Sequence, residues 1–393
     1  MNILVVGTGM YVCGRGTEDS GTILPAIYEW RRAGGTGEVH IAGAHRSGLG
    51  GLRRAVARLD RLYGNKLRPE CYPRAAAHDP SAFLEAIKRI PRPACAIVAV
   101  PDRLHARVAS AAIKAGLHTL VVKPLAPTVK EARALVRLQE ETGVHCAVEF
   151  HKRLDRANLL LRDVLASGRI GSPLYFLVEY SQRKSIPFKA FRRWAETTNI
   201  FQYLGVHYVD IVHFATGALP ERAMATAQKG WLASRGIRTP DAVQAVVEWR
   251  LPSGEHFVSS LLTNWVDPEG SSSMSDQKIK VIGTKGRVES DQKRRGAYIL
   301  TDERGIEEPN PDFCRLYGSG PGEASYRGYG IESVLQFFRD AESVAAGTQD
   351  PADLEGRRPT FKAALVSTAV VEAVNRSLAA GGAWIDMRRQ LGR

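Results

Sequence analysis

Residues 95–127 read CAIVAVPDRLHARVASAAIKAGLHTLVVKPLAP and decide the fold of this 393-residue chain. The uninterrupted apolar run 96–100 is typical of a parallel strand that is covered on both faces. Apolar residues then recur at helical spacing from Leu104 onward. A second apolar run, 119–122, stops at Lys123-Pro124, because proline has no N–H and restricts the residue before it. The stretch predicts a βαβ unit with a lysine at the carboxyl end of a strand, where open parallel sheets bind their ligands.

Length and composition indicate a globular chain with room for two domains and a large core. Hydrophobic residues make up 44% of the chain and charged residues 24%. The net charge of +13 could indicate nucleic-acid binding, but the cations are dispersed and are not interleaved with aromatic residues. We therefore expect no nucleic-acid partner. The charge is either a solvated basic surface or, in part, a field for an anionic cofactor or substrate.

No apolar run approaches the roughly 18 residues of a membrane helix, and the chain enters a strand without a basic leader. We expect a cytoplasmic protein with no membrane partner. The five cysteines are scattered without a CxxC pair, so we expect structural thiols and no metal site.

The N-terminus carries the start of a dinucleotide-binding pattern. A buried strand, 2–6, runs into Gly7-Thr-Gly9, in which the first glycine permits a tight turn and the second lets the backbone approach a pyrophosphate. Val12 stands where the pattern has a third small residue. The segment that follows, 13–21, is glycine-rich and polar, so we expect the next helix to start late, near Thr22. The expected cofactor contacts of this turn are Gly7, Gly9, Met10, Tyr11 and Val12.

The end of the second strand, 38–44, points to one form of the cofactor. An acid there would bind the ribose hydroxyls of NAD and repel the 2′-phosphate of NADP. This chain has His45-Arg46-Ser47, and Arg46 and Ser47 could bind that phosphate. The pattern favours NADP over NAD. The alternative is that Arg46 is only a solvated loop residue without a role in binding.

The pattern of elements predicts an α/β domain followed by an α+β domain. Alternating strands and helices over 1–150 are typical of a doubly wound Rossmann domain that binds NAD(P). Over 151–393, longer strands with one covered face and hairpin turns predict an open, mostly antiparallel sheet with helices on one face. We assign to this second domain substrate binding and oligomerisation.

Taken in order, these motifs resemble the Gfo/Idh/MocA oxidoreductases over nearly the whole chain. The shared motifs are Gly7-x-Gly9, Val100-Pro101-x-x-x-His105, Ala112-x-x-Ala-Gly-x-His118, Lys123-Pro124, Ser167-Gly168-x-Ile-Gly171, Gly205-Val-His207-x-x-Asp210 and Gly283-Thr-Lys-Gly286. The resemblance implies a nicotinamide cofactor and hydride transfer at a secondary carbinol or ketone of a sugar, cyclitol or related polyol. It also implies a homodimer or homotetramer through the C-terminal sheet. Further cofactor contacts are expected at Val100, Pro101, His105, Lys123 and Pro124.

The family's catalytic lysine and histidine fall on Lys123 and His207 in this resemblance. Carbinol oxidation needs a base for the hydroxyl proton, which suits His207, and Lys123 can hydrogen-bond the reacting oxygen. The family usually has an Asp four residues before the histidine, and here that residue is Tyr203. Tyr203 could donate a hydrogen bond, relay a proton or pack, and we expect Asp210 to orient the imidazole.

Substrate contacts are expected on both sides of the second domain's first strand. They are His151, Arg153, Arg193, Trp194, Asn199, Gln202, Tyr203 and His207. The cations over 183–193 suggest an anionic substrate such as a sugar phosphate, nucleotide sugar or sugar acid, with a solvated basic loop as the alternative. Two other functions stay open. One is a glycosidase that retains its NAD(P), and the other is a non-catalytic protein that senses the cofactor or a sugar.

Overall fold

The computed structural model describes residues 1–17, 19–190, 192–318 and 322–391, without the side chain of Arg193. The chain forms two compact units. The first comprises the described residues of 1–126, 130–151 and 312–364, and the second those of 127–129, 152–311 and 365–393.

A six-stranded sheet forms the centre of the first unit, in the order β3-β2-β1-β4-β5-β6. Its strands are β1 Asn2–Val6, β2 Val39–Ala42, β3 Glu70–Tyr72, β4 Ala94–Val98, β5 His118–Val122 and β6 Cys146–Glu149. Each neighbouring pair is parallel, which confirms the predicted Rossmann fold. Strand β4 ends two residues earlier than predicted, because the apolar run continues into the turn that follows the strand.

The helices of the first unit lie where the apolar periodicity places them, with one addition. They are α1 Met10–Cys13, α2 Ile23–Arg32, α3 Gly48–Tyr63, α4 Ala82–Arg89, α5 His105–Lys114, α6 Val129–Thr142 and, late in the chain, α10 Tyr329–Ala345. Helix α2 starts after Thr22, as predicted. The single turn α1 was not predicted, because four residues are too few to show a helical period.

Helix α10 belongs to the first unit, although the sequence placed it in the domain 151–393. The Trp30 ring of α2 packs on Phe338 of α10 at 5.8 Å, and its Nε1 donates to Glu342 Oε1 at 2.9 Å. Phe337 and Phe338 are both buried. Helix α10 thus completes the core beside α2, although Phe338 follows Trp30 by more than 300 residues in the sequence.

A seven-stranded sheet forms the second unit, in the order β12-β11-β7-β10-β9-β8-β17. Its strands are β7 Pro173–Arg183, β8 Leu219–Gln228, β9 Ala242–Arg250, β10 His256–Asp267, β11 Ser275–Gly283, β12 Arg287–Asp291 and β17 Ile385–Asp386. Only β7 and β10 pair in parallel within it, which confirms the mostly antiparallel sheet. Alternate residues of β9 and β10 are buried, so one face of the sheet is covered.

Strand β8 was missed in the sequence. Its residues, LPERAMATAQ, are rich in helix formers, and pairing along β9 outweighs that preference. Two hairpins complete the strands, β13 Ile299–Thr301 with β14 Gly305–Glu307 and, in the first unit, β15 Arg315–Tyr317 with β16 Ser325–Arg327. The second unit's helices are α7 Arg156–Ala166, α8 Arg192–Ala195, α9 Val206–Thr216 and α11 Ala364–Ala379. Every helix in the described ranges is too short or too polar to cross a membrane.

Candidate active site

The glycine turn after β1 has the geometry that a dinucleotide requires. Gly7 has φ +130°, and a side chain on it would overlap the carbonyl oxygen of Ala99. Its N–H donates to the Ala42 carbonyl at 2.7 Å, which fixes the turn between two strand ends. A Cβ on Gly9 would meet no described atom within 4 Å, so the backbone is open to a ligand there. Val12 at the third position is fully buried in the core.

Tyr11 in α1 belongs to a buried polar cluster at the carboxyl edge of the same sheet. Its hydroxyl lies 3.3 Å from His151 Nδ1, which is 2.8 Å from Glu149 Oε2. The rings of Phe313 and Tyr329 lie 5.1 and 5.6 Å from the imidazole. Burial, and then the Glu149 charge, raise the pKa of Tyr11 well above its usual value, so the phenol stays protonated. Glu149 Oε1 is buried without a hydrogen-bond partner among the described residues.

The Lys123-Pro124 corner follows β5 and is held by His105. The His105 ring lies with Nδ1 2.7 Å from the Pro124 carbonyl oxygen and Nε2 2.9 Å from that of Val100. The ring is buried, and burial lowers its pKa. His105 therefore ties the turn after β4 to the corner that carries Lys123, which is half-buried. This gives His105 a positioning role, and its direct contact with a cofactor stays a prediction.

The loop after β2 exposes His45, Arg46 and Ser47, and none of these side chains carries a negative charge. Arg46 donates through Nη1 to the Ala75 carbonyl at 3.1 Å, which leaves further guanidinium N–H groups. The His45 ring stacks on His78 at 4.3 Å. His78 was not predicted from the sequence. It reaches this position because β3 lies beside β2 in the sheet, which places the loops after these two strands together.

A cavity of about 510 Å³ opens beside Arg46 in the first unit, between α3 and β3. Its polar lining includes Arg46, Arg53, Arg74, Asp60 and Glu70. Glu70 pairs with Arg74 at 2.7 Å, and Asp60 accepts from the Tyr28 hydroxyl at 2.6 Å. The cavity lining thus carries three arginines against two carboxylates, and its net charge is positive.

His207 lies in the first turn of α9 in the second unit and is buried. Asp210, one turn on, is also buried, and both of its carboxylate oxygens accept from Arg153 at 2.8 and 2.6 Å. The structure thus gives Asp210 the role of holding Arg153, and an orienting role toward His207 stays a prediction.

Tyr203 precedes His207 by four residues, in the wide helical turn 201–205 that leads into α9. Its ring lies 4.9 Å from that of Trp194 and 5.9 Å from that of Trp265. Burial raises the pKa of Tyr203 to about 12. At neutral pH the phenol is protonated, so it can donate a hydrogen bond but cannot serve as the base.

Asn199 and Gln202, predicted as substrate contacts, both bond to Asn375 of α11. Asn199 Nδ2 donates to Asn375 Oδ1 at 2.8 Å, and Asn375 Nδ2 donates to Gln202 Oε1 at 2.8 Å. The sequence did not single out Asn375, which lies more than 170 residues along the chain. The side chain of Arg193, another predicted contact, lies outside the described residues.

Lys152 is a buried cation that sequence reasoning did not select. Its Nζ donates to Gln277 and, at 2.6 Å, to Gln292 Oε1. It also lies 5.3 and 5.4 Å from the rings of Tyr180 and Tyr208. The signal was the run His-Lys-Arg directly after β6, from which only the flanking residues were chosen.

Each unit contributes a different set of functional side chains. The first has an open glycine turn and cationic side chains after β2, which fit a dinucleotide with its phosphates. The second has a buried imidazole and a protonated phenol one helical turn apart. No cluster of three or more metal-binding side chains occurs within the ranges that the structure describes.

Comparison with known proteins identifies two family domains. The family described as "Oxidoreductase family, NAD-binding Rossmann fold" matches residues 34–150, and "GFO/IDH/MocA C-terminal domain" matches residues 159–289.

Two curated relatives match at moderate identity. A 1,5-anhydro-D-fructose reductase from Ensifer adhaerens is 27% identical over 56% of this chain, and the match spans only 65% of that reductase. A levoglucosan dehydrogenase from Pseudarthrobacter phenanthrenivorans is 24% identical over 74% of this chain and 79% of its own length.

Solved structures show the same fold at low identity. An inositol dehydrogenase homologue from Azotobacter vinelandii, complexed with NADH and myo-inositol, gives a TM-score of 0.70 at 19% identity, covering 98% of this chain and 97% of that chain. A scyllo-inositol dehydrogenase from Lactobacillus casei with bound NAD(H) and scyllo-inositol gives 0.67 at 14% identity, covering 98% of each chain. The two family matches together span most of this chain, which belongs to the Gfo/Idh/MocA oxidoreductase family.

Proposed function

We propose that this protein is an NAD(P)-dependent oxidoreductase that transfers a hydride between nicotinamide and a secondary carbinol or ketone of a sugar, cyclitol or sugar derivative. The observation that carries the proposal is the turn after β1, where Gly7 permits the tight bend and Gly9 leaves the backbone open. The match to an NAD-binding Rossmann family supports it. The names of the relatives, a reductase and a dehydrogenase of sugars, and of the inositol dehydrogenases with the same fold support the substrate class.

The residues of the first unit fit a dinucleotide. We assign the pyrophosphate to the turn 7–12, and the adenosine ribose to the loop His45-Arg46-Ser47. A 2′-phosphate would gain a charge-assisted hydrogen bond from Arg46, and the absence of an acid over 44–47 removes the repulsion that would disfavour NADP. We therefore propose NADP as the preferred cofactor and NAD as the poorer one.

The bound cofactor supplies or accepts the hydride, and side chains of this chain handle the proton and the developing charge. We assign to His207 the proton of the substrate hydroxyl, taken up at an imidazole nitrogen in oxidation and returned in reduction. We assign to Lys123 a hydrogen bond to the reacting oxygen, which stabilises its negative charge. Tyr203, protonated at neutral pH, acts as a donor to the substrate.

Assembly and location belong to the same proposal. We expect a homodimer or homotetramer through the seven-stranded sheet, whose β7 exposes Leu174 and Tyr175, and a cytoplasmic location. Size-exclusion chromatography with light scattering measures the assembly. A monomer at micromolar concentration would contradict that part of the proposal.

The test of the proposal is a steady-state assay of NADP⁺ and NAD⁺ reduction over a panel of sugars and cyclitols. We expect turnover with at least one compound and a higher kcat/KM for NADP⁺. Arg46→Ala should raise the KM for NADP⁺ by about 10- to 100-fold, as the loss of a charged hydrogen bond predicts, and leave that for NAD⁺ nearly unchanged.

The matched control for this assay is Lys66→Ala, which removes an exposed cation from the same unit. It should leave both KM values unchanged. Equal changes for NAD⁺ and NADP⁺ in Arg46→Ala would contradict the assignment of the 2′-phosphate.

A further inference from the structure

Three cations gather around two aromatic rings in the second unit, on segments outside the residues assigned to catalysis. The guanidinium carbon of Arg235 lies 3.8 Å from the centroid of the Trp231 ring, and Lys184 Nζ lies 5.3 Å from the same ring. The guanidinium carbon of Arg192 lies 5.3 Å from the centroid of Phe188. The two rings are 6.3 Å apart and nearly perpendicular. We call Lys184, Arg192 and Arg235 the cation cluster.

The backbone holds the cation cluster in place. Arg192 Nη2 donates to the carbonyl oxygen of Arg235 at 3.0 Å and so joins the segment after β7 to the segment between β8 and β9. Arg235 Nη1 donates to the Trp231 carbonyl at 3.1 Å. The two guanidinium groups are therefore fixed to one backbone turn, although both side chains are exposed.

The cation cluster has no direct ion-pair partner among the described residues. No described carboxylate lies within ion-pair distance of Lys184, Arg192 or Arg235. Two acids on adjoining segments are bonded to backbone N–H groups instead. Asp241 accepts from Trp231 and Leu232 at 2.7 and 2.8 Å, and Glu269 accepts from Ser185 at 2.6 Å. Like charges that are held together without a direct ion-pair partner repel each other, so the cluster favours a bound anion.

The cation cluster lies at the sheet edge that also carries Tyr203. Strands β7, β8 and β10 run in the same direction, so their carboxyl ends share one edge. Lys184 follows the end of β7, and Trp265, which packs on Tyr203, lies near the end of β10. Trp194, two residues after Arg192, also packs against the Tyr203 ring. The segment that carries Arg192 therefore contacts Tyr203 directly.

We propose that Lys184, Arg192 and Arg235 bind a phosphate-ester group of the substrate, so that the preferred substrate is a phosphorylated sugar or cyclitol derivative. Two guanidinium groups and one ammonium suit a dianion, because planar N–H donors match phosphate oxygens in pairs. This inference rests on the proposed function, whose substrate class it narrows.

The test is isothermal titration of inorganic phosphate into the protein saturated with NADP⁺, in phosphate-free buffer at constant ionic strength. Saturation with NADP⁺ occupies the phosphate sites of the cofactor. We expect measurable phosphate binding, weakened at least about tenfold in each of Lys184→Ala, Arg192→Ala and Arg235→Ala. Arg235→Lys, which keeps the charge, should retain part of the affinity. Lys189→Ala, an exposed lysine on the same segment, should bind phosphate like the wild type.

The same variants are then compared in turnover with sugars and their phosphate esters. Loss of kcat/KM for the phosphorylated compounds alone supports the proposal. Absence of phosphate binding by the NADP⁺-saturated protein, equal binding in all variants, or acetate binding as tightly as phosphate would overturn it. Failure to bind NADP⁺ at all would instead contradict the proposed function, so the two failures are distinguishable.

Discussion

Burial determines the charge of the His145 imidazole in the first unit. The side chain is 1% exposed, and neither ring nitrogen has a hydrogen-bond partner among the described residues. The ring packs on Phe337 at 5.6 Å. Burial lowers the pKa of His145 to about 4. The folded protein therefore requires the neutral ring, whereas the unfolded chain protonates it below about 6.5.

Replacement of His145 should flatten the pH dependence of stability. In the wild type, the neutral His145 ring makes its full contribution to the free energy of unfolding above about pH 6.5. Up to roughly 3 kcal/mol of that free energy is lost as the pH falls toward 4. His145→Phe keeps a ring against Phe337 and removes the titration, so its stability should fall less over that range. Urea denaturation at pH 7, 6 and 5 measures the difference. His256→Phe, at an exposed histidine, is the control, and equal slopes in all three proteins would contradict this explanation.

The sequence predicted individual site residues where a motif fixes their place, but not which of these residues meet in the fold. Gly7 was predicted because its turn needs a positive φ, and Lys123 because a strand ends there. Tyr11 and His151 were predicted as separate contacts 140 residues apart, and only the fold brings them together beside Glu149. No local pattern could have indicated that cluster.

Helix α10 explains why the compact units of the structure differ from the domains predicted from the sequence. Its apolar period indicates a helix, but the period does not say which core the helix joins. The structure packs Phe338 against Trp30 of α2, so residues 312–364 fold with the Rossmann sheet. The division of function between a cofactor-binding part and a substrate-binding part stays a prediction.

Truncation of Phe338 in α10 should increase local unfolding of α2. Phe338→Ala leaves a cavity at a fully buried site and should destabilise the first unit by roughly 3–5 kcal/mol. Hydrogen exchange of the α2 amides, Ile23–Arg32, should then accelerate more than exchange in β9 and β10 of the second unit. Arg339→Ala, at an exposed neighbour on the same helix, should leave exchange unchanged. Unchanged α2 exchange in Phe338→Ala would show that α10 does not support this helix.

The whole molecule is expected to transfer a hydride between nicotinamide and its substrate. The most direct measurement uses NADPH with both C4 hydrogens of the nicotinamide replaced by deuterium, incubated with ketones of the sugar and cyclitol panel and followed by mass spectrometry. We predict deuterium on the former carbonyl carbon of a product, and a rate at least about 100-fold lower in Lys123→Ala and in His207→Asn. Cofactor binding with no labelled product from any ketone, or cleavage of glycosides in a parallel incubation without net deuterium transfer, would contradict hydride transfer as the protein's activity.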